Sequence, residues 1–231
     1  MMNEYGKHIQ PSFDRALDAL KEDVLLMATL TERSLNKAMN GLFKRDDDLC
    51  AAVIADDQEI DQLEVGVDKD GISIMLRFQP VASDLRQVIS AMKVSGNLER
   101  VADQGVNIAR RARKLNHAPS LDQLHLLEPM YWEALTIFKD SVRAYSDGEV
   151  ELALSLKGRD KKLDDFDRKV GEEITAQMAK YPNRITSYLN LIFIARHLER
   201  VGDHAKAIGE DAIYAAAAED VRHQPRAVTS E

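Results

Sequence analysis

The chain is poor in the groups that carry most disulfide, redox and hydrolytic chemistry. It has one cysteine, Cys50, among 231 residues, which excludes an intrachain disulfide and a thiolate metal site. Only 11 glycines and 6 prolines interrupt it and aromatics make up 6%, so frequent turns between short strands are not expected. No apolar run approaches the roughly 18 residues of a membrane span; the nearest, Leu189 to Ala195, is far shorter. Asp14, Asp18, Glu22 and Asp23 break up the first thirty residues, against a signal peptide, so a cytoplasmic location is expected. Absent too are a glycine-rich phosphate loop, a Walker lysine, a nucleophile elbow and a Cys/His pair at useful spacing. Positive charge is in deficit, with a formal net charge of −8, which argues against general nucleic-acid binding. The basic run Arg110, Arg111, Arg113, Lys114 reads as a helix C-terminus complementing its dipole.

What is present is helical periodicity. Phe13, Leu17, Leu20, Val24, Met27, Leu35, Ala38 and Leu42 recur at helical spacing after Pro11-Ser12, with Ser12 as candidate N-cap. Asp46-Asp47-Asp48 marks an anionic helix start. The stripe Leu49, Val53, Ile60, Leu63, Val67, Ile74, Phe78 follows and ends at Gln79-Pro80. A third helix runs from about Val81 to Asn116. Ser120 with Gln123 offers a capping box for the fourth, in which Pro129 marks either a kink, the favoured reading, or the start of the helix. Asp147-Gly148 and Tyr181-Pro182 bound the fifth, and the sixth reaches the Ala215–Ala218 run. The expected fold is all-α: six long antiparallel helices, roughly 25 to 38 residues each at about 1.5 Å per residue, in two tandem, sequence-related three-helix bundles. Residues 1–117 form the first, 118–222 the second and 223–231 a flexible tail, each bundle with its own core.

The two halves repeat. Leu98-Glu99-Arg100-Val101-Ala102-Asp103 returns as Leu198-Glu199-Arg200-Val201-Gly202-Asp203. Upstream, Asp57, Asp61, Leu63 and Glu64 correspond to Asp160, Asp164, Phe166 and Asp167. A period this long suits a duplicated small domain rather than a solenoid. Glu99 with Asp103, and Glu199 with Asp203, lie one turn apart on one helix face; Asp57, Asp61 and Glu64 share a face, as do Asp160, Asp164 and Asp167. Like charges at this spacing destabilise a helix by about 0.2–0.5 kcal/mol per pair and call for compensation. Solvation with Arg100, Arg200, Arg86 and Lys162 as partners would supply it. So would a carboxylate site on each bundle, whose oxygen donors suit magnesium, manganese, calcium or iron. The Glu-x-x-His of a ferritin-like di-iron site is missing, and His125, His197 and His204 have no ligand-spaced partner.

Gln79-Pro80-Val81-Ala82-Ser83-Asp84-Leu85-Arg86 followed by the first repeat, Ala195-Arg196-His197 leading into the second and ending at His204, and Lys7-His8-Ile9 near the start together resemble the PhoU family, accessory regulators of bacterial high-affinity phosphate uptake. The resemblance covers essentially the whole chain. It implies two three-helix bundles and multinuclear metal binding through Glu99, Asp103, Glu199 and Asp203, with Asp57, Asp61, Asp160 and Asp164 on the preceding helices. Iron, zinc, manganese or magnesium are the metals in question. It further implies a non-enzymatic negative regulator of the phosphate-starvation response. That regulator would be a homodimer joining the ATPase of a phosphate ABC transporter to a sensor histidine kinase, on the cytoplasmic side of the inner membrane. Arg86, Arg100 and Arg200 are candidate partner contacts. Arg86 lacks a counterpart in the second half, where Tyr188 falls nearby. A carboxylate-bridged metal-dependent enzyme and a plain helical scaffold are the alternatives.

Overall fold

Long runs of good helix formers with few interruptions give six helices, and the breaks between them are made by identifiable chemistry. The computed structural model describes the backbone of residues 5–222 and the side chains of 11–159 and 161–222; the expected tail at 223–231 and the side chains of Lys7, His8 and Ile9 lie outside it. The helices are α1 (Tyr5–Phe43), α2 (Asp47–Phe78), α3 (Ala82–Asn116), α4 (Leu127–Asp147), α5 (Val150–Lys180) and α6 (Ile185–Ala217), with short 3-10 segments at Asp122–Leu126 and Pro182–Arg184. Asp46 caps α2, its carboxylate accepting from the amides of Asp48 and Leu49 at 3.0 Å. Gln79 ends the same helix in the left-handed conformation, φ 49°, so that Pro80 need not follow in helix. Gly148, φ 69°, ends α4, where a side chain would be strained.

Two helix starts differ from expectation. Ser12 does not cap α1, because the helix begins at Tyr5 and continues through Pro11; a single missing N–H costs one bond in a helix of 39 residues. Ser120 does not open α4 either. A 3-10 segment intervenes and α4 starts at Leu127. Pro129 therefore sits in the first turn, where its missing N–H would have found no intrahelical acceptor, and it causes no kink. At 21 residues α4 is also shorter than the sequence predicted.

Helices α1–α3 pack on one another, as do α4–α6, and α3 packs extensively against α6. The result is a row in the order α2, α3, α6, α5, backed by α1 and α4. The separate cores expected of two bundles are replaced by one continuous apolar cluster running from Phe13 to Ile208, with a small satellite around Ala144 and Ile213. The reason lies in α3 and α6, which pack on each other as well as on the helices of their own halves, with Val94, Leu98, Val101, Ile194, Leu198 and Val201 all buried in the common cluster.

That seam also carries a polar ladder. Arg111 donates to Asn190 Oδ1 at 3.2 Å, Gln104 Oε1 lies 2.9 Å from His197 Nδ1, and Asn97 Oδ1 lies 3.3 Å from His204 Nδ1. Lys93 closes on Asp211 at 3.5 Å. On α3 the first three rungs step by seven residues, and so do their partners on α6, which keeps them on one line along each helix.

Candidate functional site

Each half places an acidic patch in the groove between its last two helices. In the first half Asp57, Asp61 and Glu64 stand on α2 and Glu99 and Asp103 on α3. Burial pushes Asp57 up to about 6, reinforced by Asp61 and Asp103 and opposed by Arg110. Burial likewise raises Glu99, with Asp103, Glu64 and Asp61 adding to it and Arg100 opposing. Those mutual effects bring the five carboxylates of both helices into one electrostatic unit. In the second half burial raises Glu199, and Asp203, Asp167 and Asp164 add to the effect against Arg196. The side chain of Asp160 lies outside the described residues.

The expected cationic partners are only partly in place. Arg100 approaches Glu99 at 3.3 Å and Asp103 at 3.9 Å. Lys162 instead turns to Glu133 on α4 at 2.6 Å, because Glu133 lies in the α4–α5 groove where Arg159 also binds it. Arg86 is not in either patch; its Nε is buried without a hydrogen-bond partner at the start of α3. Arg200 is exposed. Two cations escaped the sequence reading, Arg110 beside Asp57 and Arg196, which donates to Asp167 Oδ2 at 2.9 Å. Their positions on the α2 and α5 sides of α3 and α6 were the available signal.

The histidines are not ligands in this arrangement. His197 and His204 face α3, and His125 Nδ1 meets the Asp122 carbonyl at 2.6 Å. Burial, with Arg200 and Arg111 nearby, pushes His197 down to about 4, and burial lowers His204 as well. Both are neutral hydrogen-bonding groups near neutral pH. The seam they belong to was missed by sequence reasoning. Its signal was the seven-residue recurrence of amide, imidazole and charged residues within otherwise apolar helices.

By donor chemistry the patches suit a hard cation, since they offer oxygen ligands alone from two facing helices. As the side chains stand, no three carboxylate, imidazole or thiol groups among the described residues converge on one point at ligand distance. Enclosing an ion would take rotamer changes in exposed Asp61, Asp164 and Asp203, the last of which would leave Lys206, 3.8 Å away.

A model of the PhoU domain matches the chain twice, at residues 24–112 and 127–212. The phosphate-specific transport system accessory protein PhoU homolog of Pseudomonas putida is 34% identical over 221 residues, spanning 94% of this chain and 85% of that one. The homolog from Pseudomonas aeruginosa is 33% identical over 217 residues, 94% and 90% of the two chains. Among solved structures, PhoU from Pseudomonas aeruginosa superposes with a TM-score of 0.87 at 32% identity, covering 90% of this chain and 100% of that one. The phosphate transport system regulatory protein PhoU from Streptococcus pneumoniae gives 0.83 at 26% identity, covering 90% and 99%. Matched in both halves and along nearly its whole length, the chain belongs to the PhoU family.

Proposed function

We propose that this chain is an accessory regulator of phosphate uptake. In this reading it is a non-enzymatic adaptor that represses the phosphate-starvation response by joining a phosphate transporter's ATPase to a sensor histidine kinase. The observation that carries the reading is the pair of acidic patches at corresponding positions of both halves, in a chain whose relatives are named for phosphate-specific transport. The reading includes a homodimer in the cytoplasm; no helix among the described residues is long and apolar enough to cross a membrane.

The patches are the proposed metal sites. Asp57, Asp61, Glu99 and Asp103 would hold a cation in the first half, and Asp160, Asp164, Glu199 and Asp203 in the second. A bound cation would supply the positive charge that Arg100, Arg110 and Arg196 supply only in part. Magnesium, manganese, iron and zinc are the candidates. Tag-free protein loaded with each metal is compared by elemental analysis and thermal melting with a variant carrying Ala at Glu99, Asp103, Glu199 and Asp203. The parent is expected to retain metal and to gain about 2.7 kcal/mol at a hundredfold excess over Kd, the variant neither. In the source cell, Glu99→Lys with Glu199→Lys is expected to switch on phosphate-starvation promoters in phosphate-rich medium; undiminished repression would refute the adaptor role.

A further inference from the structure

Helix α6 exposes apolar side chains at positions that its counterpart α3 keeps half-buried or charged. Beside its acidic patch, the outward ridge of α6 exposes Ile185 at 40%, Leu189 at 42% and Phe193 at 42%, and the chain reversal before it exposes Tyr181 at 49%. Steps of four residues keep Ile185, Leu189 and Phe193 contiguous along one face of α6. The duplication does not require them. One hundred positions earlier stand Leu85 and Ile89, both half-buried, and Lys93, which pairs with Asp211. Val81, the counterpart of Tyr181, is exposed as well, so what sets α6 apart from α3 is the exposure of Ile185, Leu189 and Phe193, and part of the short apolar run seen in the sequence ends up outside the core.

The charged groups that lie directly on the stripe are cationic, and the segment that forms it carries no acid, although Arg196 at its far end is paired with Asp167 of α5. Although the chain has 39 acidic residues, none occurs between Glu173 and Glu199. Within that interval lie Lys180, Arg184 and Arg196. Arg184 sits over the Tyr181 ring at 5.8 Å, at one end of the stripe, and Arg111 from α3 sits over Phe193 at 4.1 Å, at the other. An apolar centre with a cationic rim, in a protein that is otherwise anionic, selects by charge as well as by burial. A stripe at helical spacing from Ile185 to Phe193, about 12 Å long by the rise of a helix and extended at one end by Tyr181, matches two to three turns of another helix.

We propose that the α6 ridge from Tyr181 to Phe193 is a docking surface for an amphipathic helix whose polar side is acidic. This deepens the adaptor reading and rests on it, by naming the face and the partner's chemistry.

The probe is a fluorescent synthetic helix of about fourteen residues, with leucines on one side and glutamates on the other, beside a twin with lysines for the glutamates. Anisotropy with the full-length protein is expected to show binding of the glutamate peptide, weakened by salt. Ile185→Ser with Leu189→Ser should lower its affinity about tenfold or more, with the melting temperature kept. Arg184→Glu, on an exposed side chain, provides the second variant should the first misfold, and should also favour the lysine twin. Equal binding of the two peptides, no binding, or no effect of either variant would overturn the proposal. So would binding to anionic lipid vesicles in place of the peptide, or a change of oligomeric state in the serine variant, which would assign the ridge to membrane or to a second copy. Failure here with promoters still derepressed by the Glu99→Lys, Glu199→Lys protein would remove the docking face and leave the adaptor reading standing.

Discussion

At the scale of single residues, Asp211 shows how the seam handles charge. It is 6% exposed, and burial holds its pKa above the ordinary carboxylate range against the pull of Lys93. A carboxyl raised on folding binds its proton more tightly in the folded chain than in the unfolded one. Between the ordinary value and the raised one the folded state carries more protons, so this group's contribution to stability falls as pH rises through that window and returns on acidification. Asp211→Asn removes the contribution while keeping the shape. Thermal midpoints taken from about pH 4 to 7 should decline less with rising pH in the variant than in the parent; parallel curves would show that Asp211 is not the source. Cys50 is the opposite case of a group taken out of chemistry altogether. It is fully buried and its thiol is pushed up to about 11, chiefly by burial.

At the scale of elements, the difference between the two signature repeats has a packing cause. Ala102 in the first copy is replaced by Gly202 in the second, and a methyl group added at Gly202 would overlap Leu163 Cδ1. The residue corresponding to Leu163 in the first half is Ile60, also buried. Gly202→Ala is expected to cost about 1 kcal/mol net, overpacking against the tip of Leu163 being partly offset by the better helix propensity of Ala, and adding Leu163→Ile, which recreates the first half's combination, should recover part of it. Urea denaturation of the two single variants and the double variant measures the coupling; strict additivity would show that the two positions do not meet.

Helix ends made by short-range chemistry were legible in the sequence: the Asp46 cap, the stop at Gln79-Pro80 and the break at Gly148 all stand where residue type puts them. The two that were not, before α1 and α4, depend on what the chain does several residues away, and Ser12 or Ser120 alone carries no trace of that. The acidic patches were legible for a related reason. Spacing within a helix fixes a face, and the duplicated Glu-Arg-Val-x-Asp order marked which faces correspond. Their cations were not, since Lys162 chooses Glu133 over the patch only once α4 lies beside α5. The polar seam escaped because Gln104 and Asn190, 7% and 5% exposed, look in sequence like any solvent-facing residue of an amphipathic helix.

At the scale of the whole molecule, the duplication gives two families of contacts but one core. Because α3 and α6 pack on each other as well as on the helices of their own halves, neither half can open without exposing the other. Scanning calorimetry of metal-free protein should show a single transition with calorimetric and van't Hoff enthalpies in agreement. Two resolved peaks would mean that the halves melt apart and that the seam contributes little.

The rungs of the seam have a further meaning when the halves are overlaid. Asn97 corresponds to His197 and Gln104 to His204, so the contact of Asn97 with His204 and that of Gln104 with His197 are the same contact seen from either side of a pseudo-two-fold axis. A lone bundle of this kind pairing with its own copy would set like against like across that axis. In these two rungs an amide meets an imidazole instead. At these two rungs the halves have become complementary where a strict repeat would have kept them identical. The residues between Asn116 and Leu127 join the halves while packing on their common core, Leu121 being buried in it and Leu124 and Leu126 lying against it, so the connection is itself part of that core.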